Sequence, residues 1–201
     1  MIHYLPIDLP KLESSEMFSL DGFVESKNPY YGLHLNAFDV HNKEWHPIML
    51  KNWFFVKEYI EKYLPIKKFY IVRISKQLMD IGKHYDYGKP NNISGVSDSK
   101  ETIYNKELAD HYDNLTSPYG YRLVLEGRNN ILTIHNNSAE YESKLPVFTN
   151  CYCINSIETK HSTKMDDNRW VVFIHGWLDE KRHDELINRS LIKYKDYVIA
   201  F

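Results

Sequence analysis

The sequence predicts a mainly β fold with flanking helices, in which short antiparallel strands form a sandwich, a jelly roll or a barrel. Its second half alternates apolar and β-branched segments with turn residues every eight to twelve positions, in the order YRLVLE, ILTIHN, LPVFTNCYCIN, KHSTKM and RWVVFIHGWL. Short strands at this spacing are typical of antiparallel all-β domains. The run KKFYIVRIS and the following QLMDIGKHYDYG predict two more strands, joined by a tight connection.

Two segments have the periodicity of helices instead. From Met49 to Tyr63, apolar residues recur at helical spacing between lysines and glutamates, and Pro65 follows. This pattern predicts an amphipathic helix that packs on a sheet and ends before the proline. The tail DEKRHDELINRSLIKYKDY also has apolar residues at helical spacing, which predicts a surface helix that closes the domain.

The length of 201 residues, with 43% of them hydrophobic, favours one domain with a sizeable core. We predict an N-terminal extension and helix over residues 1–66, a β core over 67–178 and a C-terminal helix over 179–201. Residues 88–120 begin with GKPNNISGVSDS, whose Gly, Pro, Asn and Ser content indicates a loop. This stretch is predicted to be an insertion between strands.

The composition argues against polyanionic partners and against export. Twenty-five basic and 27 acidic residues give a formal net charge of −2, unlike a surface that binds nucleic acid or an anionic membrane. No run reaches the roughly 18 apolar residues of a membrane span, and no basic region precedes a hydrophobic one at the N-terminus. Cys151 and Cys153 lack the spacing for a disulfide or a zinc site, which favours buried thiols in a reduced compartment. We therefore expect a cytoplasmic protein that binds neither nucleic acid nor membrane.

A His-x-Asp pair is the first candidate for metal chemistry. In an extended segment, His84 and Asp86 point the same way, so that both reach one ion. The pair ends the strand, turn, strand unit, and Gly82 just before it allows close approach of the backbone to a site. A second copy, His111 and Asp113, lies in a segment without strand character. The first copy is therefore the better candidate.

His161, on a short predicted strand downstream, is the candidate for a third ligand. Two histidines and one carboxylate on one face of a metal leave open positions, as in non-haem Fe(II) oxygenases, although the same ligands also bind zinc. His175 and His135 are rival third ligands, since each lies near a strand end. The plain alternative for His161 is a polar residue on the rim of the sheet.

Arg169 is the candidate for binding an anion. It opens an apolar strand and shares one face of that strand with Val171, Phe173 and His175. Arginine binds a carboxylate through a planar pair of hydrogen bonds, which suits a dicarboxylic cosubstrate whose other end is on the metal. The alternative is a salt bridge to the aspartates of the preceding turn, an interaction that is usually weak.

Three blocks of the sequence match the pattern of one enzyme family. FYIVRISKQLMDIGKHYD corresponds to a strand, turn, strand leading into H-x-D, YRLVLEG to an arginine-bearing core strand, and KHSTKMDDNRWVVFIHG to a distal histidine, polar turn and arginine. In this order, over residues 68–178, they resemble the Fe(II)- and 2-oxoglutarate-dependent dioxygenases. The likeness is to the branch of aspartyl/asparaginyl β-hydroxylases and related proline hydroxylases. The resemblance implies a double-stranded β-helix, the cupin-like jelly roll.

The resemblance also implies roles for particular residues. His84, Asp86 and His161 would bind Fe(II), and Arg169 would bind the far carboxylate of 2-oxoglutarate. Arg122 and Arg73 fall at inward positions that in this branch help to hold cosubstrate or substrate. The residues implied to bind the metal, the cosubstrate or the substrate are therefore His84, Asp86, His161, Arg169, Arg122 and Arg73. Many members of the branch have no carboxylate at the third ligand position, whereas this chain has Asp86.

The implied reaction uses O2 to hydroxylate an amino acid, either free or as a residue of a peptide or protein, with release of succinate and CO2. Two other classes of function share the same residues. One is a jelly roll binding module that has kept the fold without the chemistry. The other is a zinc hydrolase that uses the same His, Asp and His ligands.

Overall fold

Antiparallel β-sheets form the body of the structure, which confirms the predicted mainly β fold. A computed structural model describes residues 1–13, 18–25, 32–39, 42–84, 119–127, 132–137, 139–155, 158–164 and 169–201. The strands are β1 (Ile2–Pro6), β2 (Val24–Glu25), β3 (Leu33–Asn36), β4 (Phe38–Asp39), β5 (Glu44–Trp45), β6 (Ile66–Lys76), β7 (Ile81–His84), β8 (Tyr119–Glu126), β9 (Thr133–Asn136), β10 (Ala139–Glu142), β11 (Cys151–Asn155), β12 (His161–Thr163), β13 (Trp170–Leu178) and β14 (Ile199–Ala200). The helices are α1 (Pro47–Asn52), α2 (Phe54–Tyr63) and α3 (Glu180–Lys193), and a 3-10 turn at Lys195–Tyr197 follows α3.

The largest sheet has eight strands in the order β14-β1-β11-β8-β13-β6-β3-β2. β13 lies inside this sheet and pairs with β6 along its whole length and with β8 over its first half. A strand that has neighbours on both edges and packing on both faces is expected to be almost continuously apolar, as WVVFIHGWL is. β1, which the sequence did not predict, pairs with β11, so the N-terminal extension contributes a strand to the sheet.

The main hydrophobic core lies between one face of this sheet and the helices. Trp53 is fully buried there, and its ring centroid lies 5.4 Å from that of Phe18 and 5.6 Å from that of Trp170. Leu186 of α3 is buried in the same core, which agrees with the predicted packing of a C-terminal helix. Cys151 and Cys153 are free, buried thiols in this core, and burial raises the pKa of both.

The helix predicted over residues 49–63 is two helices. α1 begins earlier, at Pro47, and ends at Asn52; at Trp53, the next residue, the backbone turns to φ −130° and ψ 23°. α2 then runs to Tyr63, and Leu64 is extended before Pro65, as the restriction on a residue preceding proline requires. The interruption was not predicted, because the apolar spacing continues through it.

A four-stranded sheet, in the order β10-β9-β12-β7, packs against the other face of the large sheet. A second apolar cluster joins the two sheets, with Tyr152 and Ile154 from the large sheet contacting Leu132 and Ile134 at the small one. β6 and β7 were predicted to be joined strands, and they lie in different sheets. β10 was not predicted. The space between the two sheets holds the candidate site.

Several predictions concern residues outside the described ranges. Asp86, the second H-x-D pair His111 and Asp113, and nearly all of the predicted insertion 88–120 are among them. Tyr119 and Gly120, the last two residues of that predicted insertion, belong to β8. No helix in the described part of the chain has both the length and the apolar character needed to cross a membrane.

Candidate functional site

A cleft between the two sheets brings most of the predicted site residues together. Its lining includes His84, His161, Arg122 and Arg169. Arg73 is not part of the described lining. It lies on β6, where its Nε donates to Asn36 Oδ1 at 3.4 Å.

The two histidines face each other across paired strands. His84 at the end of β7 is the register partner of His161 in β12, and their ring centroids lie 4.4 Å apart at an interplanar angle of 51°. His161 is buried. Two imidazoles on neighbouring strands are thus presented to the same cleft, which is the placement predicted from the H-x-D motif and the distal histidine.

The same local hydrogen bond fixes the tautomer of both rings. Nδ1 of His84 donates to the carbonyl of Gly82 at 2.7 Å, and Nδ1 of His161 donates to the carbonyl of Thr159 at 2.9 Å. Because a carbonyl only accepts, the proton of each neutral ring is on Nδ1 and the lone pair is on Nε2. Metal-binding histidines commonly show this arrangement, in which a second hydrogen bond orients the ring.

A bulge in β7 turns His84 toward the cleft. His161 pairs with His84, and Thr163 pairs with Ile81. The two residues of β12 are two positions apart, whereas their partners in β7 are three positions apart. Without an extra residue, Ile81 and His84 would point to opposite faces, whereas both line the cleft. The bulge contains Gly82, which the sequence analysis singled out for close approach. A side chain at Gly82 would meet no described atom within 4 Å, so the predicted close approach of the backbone is not found among the described residues.

The described candidate metal ligands in the cleft are the two imidazoles of His84 and His161. Two neutral imidazoles suit Fe(II) and zinc alike. Within the described residues, no group of three His, Cys, Asp or Glu side chains is placed to hold a metal ion. The predicted third ligand, Asp86, follows the end of β7 by two residues and lies outside the described ranges.

Two buried arginines give the cleft a positive lining. Arg122 is 2% exposed and Arg169 is 3% exposed, and none of the described lining residues is acidic. Arg169 directly precedes β13, and its carbonyl accepts a hydrogen bond from the backbone N–H of Gln77 at 3.0 Å. Guanidinium groups in a partly dry cleft favour a carboxylate or another anion.

Two further polar residues in the cleft were missed by sequence reasoning. Ser75 of β6 and Gln77, the first residue after Lys76 at the end of β6, line the cleft and are both 4% exposed. Ser75 Oγ and Gln77 Oε1 have no hydrogen-bond partner among the described residues. Buried polar atoms without hydrogen-bond partners lower the stability of the fold. A ligand that forms hydrogen bonds with these atoms is therefore expected to bind more tightly. The available signal was the alternation of polar residues along an otherwise apolar strand.

The rival ligands are placed elsewhere. His135 on β9 lies on the outer side of the small sheet, where its Nε2 is 2.8 Å from Ser162 Oγ. Its Nδ1 is 3.3 Å from Glu140 Oε1, without the geometry of a hydrogen bond. Burial, and then the charge of Lys83, lower the pKa of His135. His175 is buried beside Arg122 and is not among the lining residues of the cleft.

Comparison of the sequence with protein-family models and with curated proteins finds no match. The geometry of the cleft is therefore the basis for assigning a function. It combines two imidazole rings on paired strands with two guanidinium groups and two buried polar side chains. Such an arrangement suits a metal ion together with an anionic organic ligand.

Gly120 makes the space for the Arg122 side of the cleft. A Cβ at this position would lie 2.2 Å from Cε1 of His175 and 2.8 Å from Nη1 of Arg122. Both distances are far below van der Waals contact, and both side chains are buried. Glycine at position 120 is therefore required by packing.

We predict that Gly120→Ala lowers the free energy of unfolding by about 1–3 kcal/mol, because the added methyl displaces a buried pair. Urea unfolding followed by circular dichroism measures this change. Gly82→Ala is the matched control, since its Cβ enters open space. Equal stability of Gly120→Ala and the wild type would contradict the tight packing described above.

Proposed function

We propose that this protein is an Fe(II)- and 2-oxoglutarate-dependent dioxygenase. Its substrate in this proposal is an amino acid, either free or as a residue of a peptide or protein, which is hydroxylated with release of succinate and CO2. The observation that carries the proposal is the cross-strand pair of His84 and His161 in the same cleft as Arg169. The cleft thus contains two ligands typical of non-haem iron together with an arginine of the kind that anchors a dicarboxylate.

The strand order supports a double-stranded β-helix. Counted from β6 to β13, the chain alternates between the sheets, except that β9 and β10 are consecutive in the small sheet. With β6 counted as the first strand and β13 as the eighth, the large sheet contains the order first, eighth, third, sixth. The small sheet has the order second, seventh, fourth, fifth. Two four-stranded antiparallel layers connected in this way are the pattern of a jelly roll.

In the proposed enzyme, His84, Asp86 and His161 hold the metal. The carbonyl groups of Gly82 and Thr159 fix the two imidazole rings with Nε2 as the ligand atom. Fe(II), when bound, supplies the reactivity toward O2 that the side chains lack. The contribution of the protein is to orient the ligands and to exclude water from the cleft.

The arginines orient the cosubstrate in this proposal. The guanidinium of Arg169 has the planar fork that matches a carboxylate, and its burial strengthens the interaction. Ser75 pairs with Val171 in the β6–β13 register, and its buried hydroxyl is available to donate to the same anion. Arg122 provides a second positive group on β8. A dicarboxylate is opposite in charge to both arginines.

A reducing compartment such as the cytoplasm is part of the proposal. Fe(II) is retained more readily where thiols also stay reduced. The two cysteines are free and buried, and their raised pKa keeps them as uncharged thiols. Neither is therefore suited to compete with the histidines for the metal.

The proposal predicts that the purified protein, supplied with Fe(II) and O2, converts 2-oxoglutarate to succinate. His161→Ala abolishes this turnover because it removes a ligand, whereas His135→Ala keeps it because that imidazole lies on the outer side of the small sheet. Succinate is quantified by mass spectrometry with and without a mixture of amino acids. Bound zinc together with insensitivity to N-oxalylglycine would favour a hydrolase and contradict the proposal.

Arg169→Ala is predicted to weaken 2-oxoglutarate binding by about ten- to a hundredfold, as expected when a charge-assisted hydrogen-bonded pair is lost. Isothermal titration calorimetry under anaerobic conditions, with Fe(II) present, measures the dissociation constant. Arg189→Ala is the control, since that side chain is exposed on α3 and contacts Asp8. Unchanged affinity in Arg169→Ala would show that this arginine does not hold the cosubstrate.

A further inference from the structure

We infer that His175 is a positioning residue that orients the guanidinium of Arg122 for anion binding in the cleft. The inference rests on the proposed function only for the identity of the anion, 2-oxoglutarate. His175 is neither a lining residue of the cleft nor a partner of the His84–His161 pair. It acts on the site through Arg122, to which it is hydrogen-bonded.

The hydrogen bond between the two side chains is directional. Nη1 of Arg122 lies 2.9 Å from Nε2 of His175, and both residues are buried. A guanidinium only donates, so His175 Nε2 accepts and the imidazole is neutral with its proton on Nδ1. A protonated imidazole at this distance from the guanidinium would place two cations in contact inside the protein. The hydrogen bond therefore requires one tautomer of the His175 ring and one orientation of that ring relative to the Arg122 guanidinium.

Other contacts restrict the guanidinium in the same position. Nη1 of Arg122 also donates to the carbonyl of Tyr121 at 3.0 Å, so both of its N–H groups are used by protein atoms. The guanidinium carbon lies 4.6 Å from the ring centroid of Phe173, a lining residue of the cleft. Arg122 lines the cleft, so an anion in the cleft meets a guanidinium that is held in this orientation.

The position of Gly120 is explained by the same arrangement. It leaves the space in which the imidazole and Nη1 meet, because a Cβ there would overlap both. His175 shares a face of β13 with Phe173, and Phe173 is the register partner of Arg122. Gly120, Phe173 and His175 thus all lie against the guanidinium of Arg122.

The test compares His175→Leu, which removes the acceptor, with His175→Gln, which keeps a side-chain oxygen able to accept from Arg122. Binding of 2-oxoglutarate, succinate and sulfate to the Fe(II)-loaded protein is measured by anaerobic calorimetry, and thermal unfolding is recorded for each variant. We expect His175→Leu to lose about ten- to a hundredfold in 2-oxoglutarate affinity and His175→Gln to stay within about threefold of the wild type. In an Arg122→Ala background, His175→Leu is expected to cause no further loss.

The outcomes separate this inference from the proposed function. If the wild type binds 2-oxoglutarate and His175→Leu binds it equally well, the inference is overturned and the proposed function stands. If affinity for succinate or sulfate depends on His175 but 2-oxoglutarate is neither bound nor turned over, the proposed function falls and the inference stands. If the wild type binds none of the three anions, both are overturned.

A second measurement tests the inference without the His175→Leu variant, and so does not depend on whether that variant folds. Nitrogen-15 NMR of the histidine side chains of the wild type, assigned with His175→Gln, reports which ring nitrogen of His175 carries the proton. The inference predicts a neutral ring protonated on Nδ1, with an Nε2 signal that moves when 2-oxoglutarate is added. A ring protonated on Nε2 cannot accept from Arg122 and would overturn the inference.

Discussion

The antiparallel pairing of β7 with β12 is the constraint on which the candidate site depends, because it alone places His84 opposite His161. A slip of one residue would turn His84 to the outer side of the small sheet. The pairing is supported from that outer side, where Lys83 of β7 reaches Glu140 of β10 at 2.8 Å. His135 of β9 meets Ser162 of β12 at 2.8 Å on the same side. Polar contacts across all four strands therefore help to fix the register that brings the imidazoles together.

The large sheet provides the opposite wall of the cleft and the rigid support behind it. Its face toward the helices is filled by an apolar core around Trp53, while its face toward the small sheet carries Arg122 and Arg169. Buried charges and partnerless polar atoms destabilise a fold unless something else compensates. Among the described residues, both buried arginines and two of the six partnerless polar atoms, those of Ser75 and Gln77, lie in the cleft.

The sequence predicted the strands well where their period was local and strong, as in β6, β8 and β13. It also grouped His84, His161 and Arg169 through the order of the three motif blocks that resemble the dioxygenases, and these residues line one cleft. It did not predict the bulge that turns His84 inward, the partnerless atoms of Ser75 and Gln77, or the contact of His175 with Arg122. Each of these depends on which residue lies across a neighbouring strand, and such pairings have no signature in a local pattern. The division of the predicted helix at Trp53 has the same origin, since tertiary packing of one large side chain overrides continuous helical spacing.

The central claim is that the cleft holds Fe(II) and 2-oxoglutarate together. Anaerobic titration of the protein, first with Fe(II) and then with 2-oxoglutarate, tests this claim most directly because it requires no knowledge of the substrate. The weak visible charge-transfer band of an Fe(II)–2-oxoglutarate complex is predicted to appear, to saturate at one equivalent of iron and to be lost in His161→Ala. A solution that stays colourless at saturating 2-oxoglutarate, or a band that is unchanged in His161→Ala, would contradict the account.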